Sequence, residues 1–243
     1  MRTLYTLWIL ILFVGSFFIL FPLYYVFLQK KKWHHLAHEL TKIWARIIIY
    51  LSFIRVEIVF EEKLDKSETV IFTPNHFSYF DIPIIAFSAP GNYKFIGKKS
   101  LGEIPIFGYM FRKLYLTVNR TSKIDAYRAL LKGLECLDSG IGLVVFPEGG
   151  IVSGGPELAS FKEGAFRMAI ERQIPIVPVS IPFNWIFLYD QKKLRVKYRK
   201  LKVVYHKKII TKGLDIDSVD ELKNKTFEII EKQLKTDNNS ENR

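Results

Sequence analysis

The sequence predicts an α/β fold: a sheet of buried, parallel-type strands flanked by helices, preceded by a membrane-embedded pair of N-terminal helices. Three observations carry this. Short runs rich in Val and Ile, each bounded by Pro or Gly, alternate with helix-period segments. Several of those runs are apolar without alternation, as strands buried on both faces are. From Thr3 to Gln29 no charged residue occurs.

If helical, that uncharged stretch is about 37 Å long, against a hydrocarbon core of about 30 Å. It is too long for the apolar core of a signal peptide and shows no small-residue cleavage site behind it. Lys30, Lys31 and Lys32 follow at once, whereas Arg2 and the α-amino group are alone on the other flank. For a segment that spans, the positive-inside bias puts everything after the lysines in the cytoplasm. Gly15, Ser16 and Pro22 weaken the helix. A second helix follows, with Trp33, Leu36, Leu40, Ile43, Trp44, Ile47, Leu51 and Ile54 at helical spacing. Two placements fit: a span, or a hairpin of two helices in one leaflet. His34 and His38 stand i,i+4, a spacing that suits a metal, but no acidic or Cys partner completes a set. An interfacial helix is the plainer reading.

The division expected is an anchor of two helices over 1–55, a globular domain over 56–235, and a polar, disordered tail over 236–243. The excess of 36 Lys and Arg over 24 Asp and Glu, formally +12, attracts polyanions of any kind. The basic residues are dispersed and no nucleic-acid motif appears, so no nucleic acid is expected as partner. The single Cys136 rules out an intramolecular disulfide and sits in a helical pattern as a small core residue.

Along the domain, Val56, Ile58 and Phe60 alternate with charged residues as a half-exposed strand, and Glu61 to Glu68 is a charged turn. Thr69 to Thr73 is a strand that stops at Pro74 and delivers Asn75 and His76 to a loop. Asp81 then N-caps a helix with Pro83 in its first turn, closed by Pro90-Gly91-Asn92. Tyr93 to Ile96 and Leu114 to Val118 are short strands. Between them, Gly91 to Lys98 superficially resembles a P-loop, but five residues separate Gly91 from Gly97 and Lys99 stands where Ser or Thr is needed, so an NTPase is excluded. Ser122-x-x-Asp125 starts a helix with Leu130, Leu134 and Leu137 on one face. Gly142 to Phe146 is a fully buried strand that delivers Glu148 and a glycine-rich loop. Ser160-x-x-Glu163 caps the next helix, and Ile174 to Ile181 is again a buried strand. Leu194 to Tyr205 alternates basic and apolar residues as an edge hairpin or ribbon. Ser218-x-x-Glu221 caps a last amphipathic helix.

The reactive groups fall in three loops that follow strands: Asn75 to Asp81, Lys98 to Arg120, and Pro147 to Gly155. On neighbouring strands they would converge at one edge of the sheet, where open α/β folds bind ligands. Four residues lie between His76 and Asp81, a spacing that can hold a base beside an orienting carboxylate.

These residues carry a resemblance. Asn75-His76-x-x-x-x-Asp81 and Phe146-Pro147-Glu148-Gly149 resemble two blocks of the glycerolipid acyltransferase family, whose best-known members acylate lysophosphatidic acid. Lys98-Lys99-Ser100-Leu101, through Ile104-Pro105 and Gly108 to Arg120, resembles a further block, and Val177-Pro178-Val179 another. The order is kept from about 56 to 182. The resemblance implies a mixed, largely parallel sheet of the glycerol-3-phosphate acyltransferase type. It implies His76 as general base and Asp81 as the group that orients it. It also implies a substrate-binding set of Asn75, Lys98, Lys99, Arg120, Glu148 and Gly149. No metal or cofactor is implied. Acyl-CoA or acyl carrier protein would donate the acyl group to a lysophospholipid, at the cytoplasmic face of a membrane. One departure stands out: the family continues Gly-Thr-Arg-Ser after the glutamate, whereas here Gly150, Ile151 and Val152 follow Gly149. The alternatives left open are the same chemistry on another lyso-lipid, such as a lyso-aminolipid, and a non-catalytic basic protein that binds membranes or nucleic acid.

Overall fold

A computed structural model describes residues 2–153, 155–184 and 200–241. Two long helices come first, α1 (Arg2–Phe27) and α2 (His34–Leu51). Then follow β1 (Val56–Phe60), β2 (Ile71–Pro74), α3 (Asp81–Ser88), β3 (Tyr93–Lys98), α4 (Phe107–Leu114) and β4 (Leu116–Val118). The chain continues with α5 (Lys123–Asp138), β5 (Gly142–Val144), α6 (Gly164–Glu171), β6 (Ile176–Ser180), β7 (Leu201–Tyr205) and α7 (Val219–Glu241).

The strands form one sheet in the order β1-β7-β6-β2-β5-β3-β4. Among the described strands only β6 and β7 pair antiparallel; β1 with β7 and all pairings from β6 to β4 are parallel. The mixed, largely parallel sheet is thus present, covered on both faces. Successive strand residues point to opposite sides. Phe72, Val144 and Val177 join Leu40, Ile84 and Met110 of α2, α3 and α4 in one core. Ile71, Leu143 and Ile176 join Leu134, Phe166 and Ile230 of α5, α6 and α7 in the other. Cys136 packs in this second core.

The N-terminal helices differ from the expected membrane pair. Among the described helices, only α1 is long and apolar enough to cross a membrane, over Thr3–Phe27. α2 instead buries Ala37, Leu40, Trp44, Ala45, Ile48 and Ile49, which belong to the same core as the sheet. Its apolar stripe meets α1 on one side and α3 on the other, so it is a helix of the globular unit. No group of three metal-ligating side chains exists among the described residues. His38 is buried with its ring edge-on to Tyr93, 4.7 Å between centroids.

Other expectations are corrected in detail. Residues 201–205 are an interior strand, with Leu201, Val203 and Tyr205 fully buried; the expected edge hairpin's first part, 194–199, lies outside the described residues. The alternating lysine is explained by α7: Lys202 Nζ meets Asp237 Oδ1 at 2.8 Å. The last helix runs on to Glu241 with Asp237 buried in this contact, where a disordered tail from 236 was expected. Ser122 caps α5 through the Asp125 N–H as expected. Ser160 does not cap α6, which starts at Gly164 without a side-chain cap. Before α7, Asp215 receives the Ser218 N–H and caps a short 3-10 turn over Ile216–Ser218, so the expected cap residue lies inside that turn. Leu114 ends a helix, and the strand behind it is confined to Leu116–Val118.

Candidate active site

Strands β2, β5 and β3 are adjacent and parallel, so their C-terminal ends open side by side. β2 leads into Asn75 and His76, β5 into the loop that carries Glu148 and Gly149, and β3 ends at Lys98 and leads into Lys99. Asn75 continues the β2–β6 ladder with its side chain: Nδ2 donates to Ile181 O at 3.2 Å and Oδ1 accepts the Ile181 N–H at 2.7 Å. Fully buried with both amide groups engaged, Asn75 holds the turn in which the histidine sits.

His76 Nδ1 lies 2.8 Å from Asp81 Oδ2. The same oxygen accepts the N–H groups of Phe77 and Ser78 at 2.8 and 3.0 Å. Asp81 therefore does not cap α3 as expected; it opens the helix's first turn and points its carboxylate back at the preceding loop. The carboxylate is fully buried, whereas the histidine keeps 8% of its surface exposed. Its ring stacks on Phe146 at 3.9 Å. With Nδ1 turned to Asp81, Nε2 is the nitrogen left for a substrate, the division of labour of a carboxylate-oriented imidazole base.

Glu148 is 2% exposed. One oxygen accepts the backbone N–H of His76 at 2.7 Å, and the other that of Ala159 at 2.9 Å. Burial pushes its carboxyl up to about 7, against the pull of these two donors. The residue thus braces the base and the far limb of the glycine-rich loop. Gly149 has φ +80°, which a side chain would strain. Its carbonyl accepts a bond from Arg120 Nη1, so the arginine closing the second expected block is brought to the third. The lysines are less engaged: Lys99 Nζ stands 3.8 Å from Asp125 Oδ2 with its side chain 60% exposed, and Lys98 is exposed at the end of β3. Gly108, another residue of the second block, lies where a Cβ would come within 2.2 Å of Gly102 O. It lets the turn after β3 fold onto α4.

A family model described as Acyltransferase matches residues 55–182. The chain belongs to the Acyltransferase family. It is 29% identical over 201 residues to the chloroplastic 1-acyl-sn-glycerol-3-phosphate acyltransferase BAT2 of Brassica napus, covering 82% of this chain and 56% of that protein. It is 33% identical over 131 residues to the 1-acyl-sn-glycerol-3-phosphate acyltransferase of Helicobacter pylori, covering 54% and 55%. The chain thus spans a little over half the length of these two relatives. Among solved structures, the 1-acyl-sn-glycerophosphate acyltransferase PlsC of Thermotoga maritima superposes with a TM-score of 0.78 at 23% identity, covering 97% of each chain. That likeness establishes the acyltransferase fold.

One residue of the site was not foreseen. Asn184, fully buried, donates from Nδ2 to Asp81 Oδ1. It follows β6, five residues past Val179, the end of the last block of the resemblance. Its only sequence signal is a polar residue just after an apolar strand, and that does not name a partner.

Proposed function

We propose that the protein is a 1-acyl-sn-glycerol-3-phosphate O-acyltransferase, which moves a fatty acyl group from acyl-CoA or acyl carrier protein to the sn-2 hydroxyl of lysophosphatidic acid. The observation that carries this is the buried His76–Asp81 pair, 2.8 Å apart, on the motif of an acyltransferase family. His76 Nε2 takes the proton of the acceptor hydroxyl as its oxygen attacks the thioester carbonyl. The C–S bond then breaks, and the imidazolium returns the proton to the departing thiolate. Asp81 orients the ring and offsets its transient charge. Arg120, Lys98 and Lys99 supply cations for the acceptor phosphate. Asn75, Glu148 and Gly149 shape the acceptor site by fixing its loops. The product is phosphatidic acid, a phospholipid precursor.

The site works at a membrane surface, with α1 held in the bilayer and the sheet on the cytoplasmic side, since Lys30 to Lys32 follow the apolar run. A second reading keeps the chemistry and changes the acceptor to a lyso-aminolipid, favoured by Ile151 standing where the family carries an arginine. The deciding experiment is acyl transfer in detergent by the unmodified protein and His76→Ala over a panel of lyso-lipids. A folded His76→Ala protein with full turnover would sink both readings. A preference for acceptors without a phosphomonoester would select the second.

A further inference from the structure

The family arginine is missing after Gly149, yet the loop is not poor in cations. Lys162 reaches it from the other side. Its backbone N–H donates to Pro147 O at 2.7 Å. Its stem lies over Gly149, with Cγ 3.5 Å and Cε 3.9 Å from the point where a Cβ would stand. The ammonium lies one bond beyond Cε, more than 4 Å from that point, at the end of a stem that crosses the same glycine whose carbonyl holds Arg120. The lysine's backbone is fixed: the preceding Phe161 is buried, its ring 5.1 Å from Phe227 and 6.3 Å from Phe166.

What Lys162 lacks among the described residues is a counter-charge. No ion pair involves it among the described residues. The next residue, Glu163, is turned to Arg167 Nε at 3.0 Å. Both oxygens of Glu148 are held by backbone N–H groups. Lys162 is exposed, so its charge is open to a ligand. Gly150 completes the arrangement. A Cβ there would come within 2.9 Å of Arg120 Nη1, so the glycine at this position is what lets the arginine close onto the loop.

We propose that Lys162 and Arg120 form a two-cation clamp across Gly149 that binds the phosphomonoester of the acceptor, in place of the arginine that Ile151 replaces. This rests on the acyltransferase reading and deepens it: the acceptor's anionic head is gripped from α6's approach and from the end of β4, rather than from the loop itself. A phosphomonoester dianion suits two separated cations, and a lysine presents a compact charge that needs no bidentate partner.

The test is steady-state acyl transfer with lysophosphatidic acid and with monoacylglycerol, using Lys162→Met, Lys162→Arg and Lys162→Met combined with Ile151→Arg. Lys162→Met is expected to raise KM for lysophosphatidic acid by about 10- to 100-fold with a far smaller change in kcat, the size of a lost charge-assisted contact. KM for monoacylglycerol should move less than about threefold. Lys162→Arg and the Ile151→Arg double variant should recover most of the loss. Equal KM for lysophosphatidic acid in Lys162→Met and unmodified protein overturns the clamp, as does a fall in kcat with KM unmoved. If the unmodified protein acylates no lysophosphatidic acid, the functional reading fails. The clamp is then decided by inorganic phosphate: a rise in Tm with phosphate that Lys162→Met abolishes upholds it, and equal rises in both proteins overturn it.

Discussion

Glu148 accepts the backbone N–H of His76 at 2.7 Å, and through its other oxygen the N–H of Ala159 at 2.9 Å. Above about pH 7, where it is ionised, a group with two acceptor oxygens thus bridges two donors in a nearly dry place. Glutamine has one acceptor and one donor at the same positions, so Glu148→Gln sets an N–H2 against a backbone N–H. The variant is expected to lose about 1–3 kcal/mol of stability. It is also expected to lose at least about tenfold in kcat, because the imidazole is carried on the displaced backbone. Denaturant unfolding and turnover on the same preparation check this. A variant that keeps both would show that the bridge does not position the base.

Asn184 holds the second oxygen of the Asp81 carboxylate. Its Nδ2 donates to Asp81 Oδ1, while Oδ2 receives His76, Phe77 and Ser78. Removing one donor to a buried carboxylate leaves part of its charge uncompensated, at about 1–3 kcal/mol. Asn184→Ala is expected to lower kcat about 10- to 100-fold with little change in KM. In an Asp81→Asn background the same substitution should have a much smaller effect, because the two residues act on one imidazole. Fully additive losses in the double variant would assign Asn184 to general stability.

The parts of this architecture that were legible in the sequence share one trait: their signal is local. Buried strands such as Gly142–Val144, the Ser122 cap and the His76–Asp81 spacing are each set by a few neighbouring residues. The failures are long-range. α2 carries an apolar stripe that reads equally as a leaflet helix or a core helix, and only the packing of Leu40, Trp44 and Ile48 against the sheet separates the two. Lys202 looked like part of an edge hairpin or ribbon because its partner, Asp237, is 35 residues away. Glu148 was expected to face the acceptor. The spacing of its motif could not show that its two oxygens are taken by backbone N–H groups 72 and 11 residues distant. Asn184 is joined to Asp81 across 103 residues, with no periodicity to point to it.

Two buried groups set opposing pH dependences of stability. Burial first, and Lys42 second, push His38 down to about 4 from 6.5, against the pull of Glu39. Between those values the unfolded chain binds a proton that the folded one refuses, so stability rises with pH up to 6.5. Glu148 moves the other way, from 4.5 up to about 7. There the folded chain keeps a proton that the unfolded one releases, so stability falls as pH rises from 4.5 to about 7. Each shift corresponds to about 3 kcal/mol, and from 4.5 to 6.5 the two slopes oppose. His38→Phe, which keeps an aromatic ring edge-on to Tyr93, should unmask the Glu148 slope. Its stability relative to the unmodified protein should drop by about 3 kcal/mol between pH 4 and 6.5. Parallel stability curves from denaturant unfolding would show that His38 is not held neutral by the fold.

α1 has two faces with different work. Ile9, Leu12, Phe17, Tyr24 and Leu28 are buried against the globular unit. Tyr24 OH reaches Thr41 Oγ1 at 3.0 Å, and the Phe17 ring lies 5.3 Å from Trp44 and 5.5 Å from Phe107. On the other side Leu4, Ile11, Phe18 and Ile19 are 51–78% exposed, an apolar stripe that none of the described residues covers. If that stripe sits in lipid, a charge on it opposes the bilayer by about 2.5–3.5 kcal/mol at mid-depth, while folding is little affected. Ile11→Lys with Phe18→Lys is therefore expected to shift the protein from the membrane to the soluble fraction, with acyl transfer to detergent-dispersed acceptor retained. Phe17→Ala, on the inner face, should instead leave membrane association intact and lower Tm, since a buried aromatic is removed at about 3–5 kcal/mol. Cell fractionation and thermal unfolding separate the two effects. An outer-face variant that stays membrane-bound would place the anchoring surface elsewhere on the molecule.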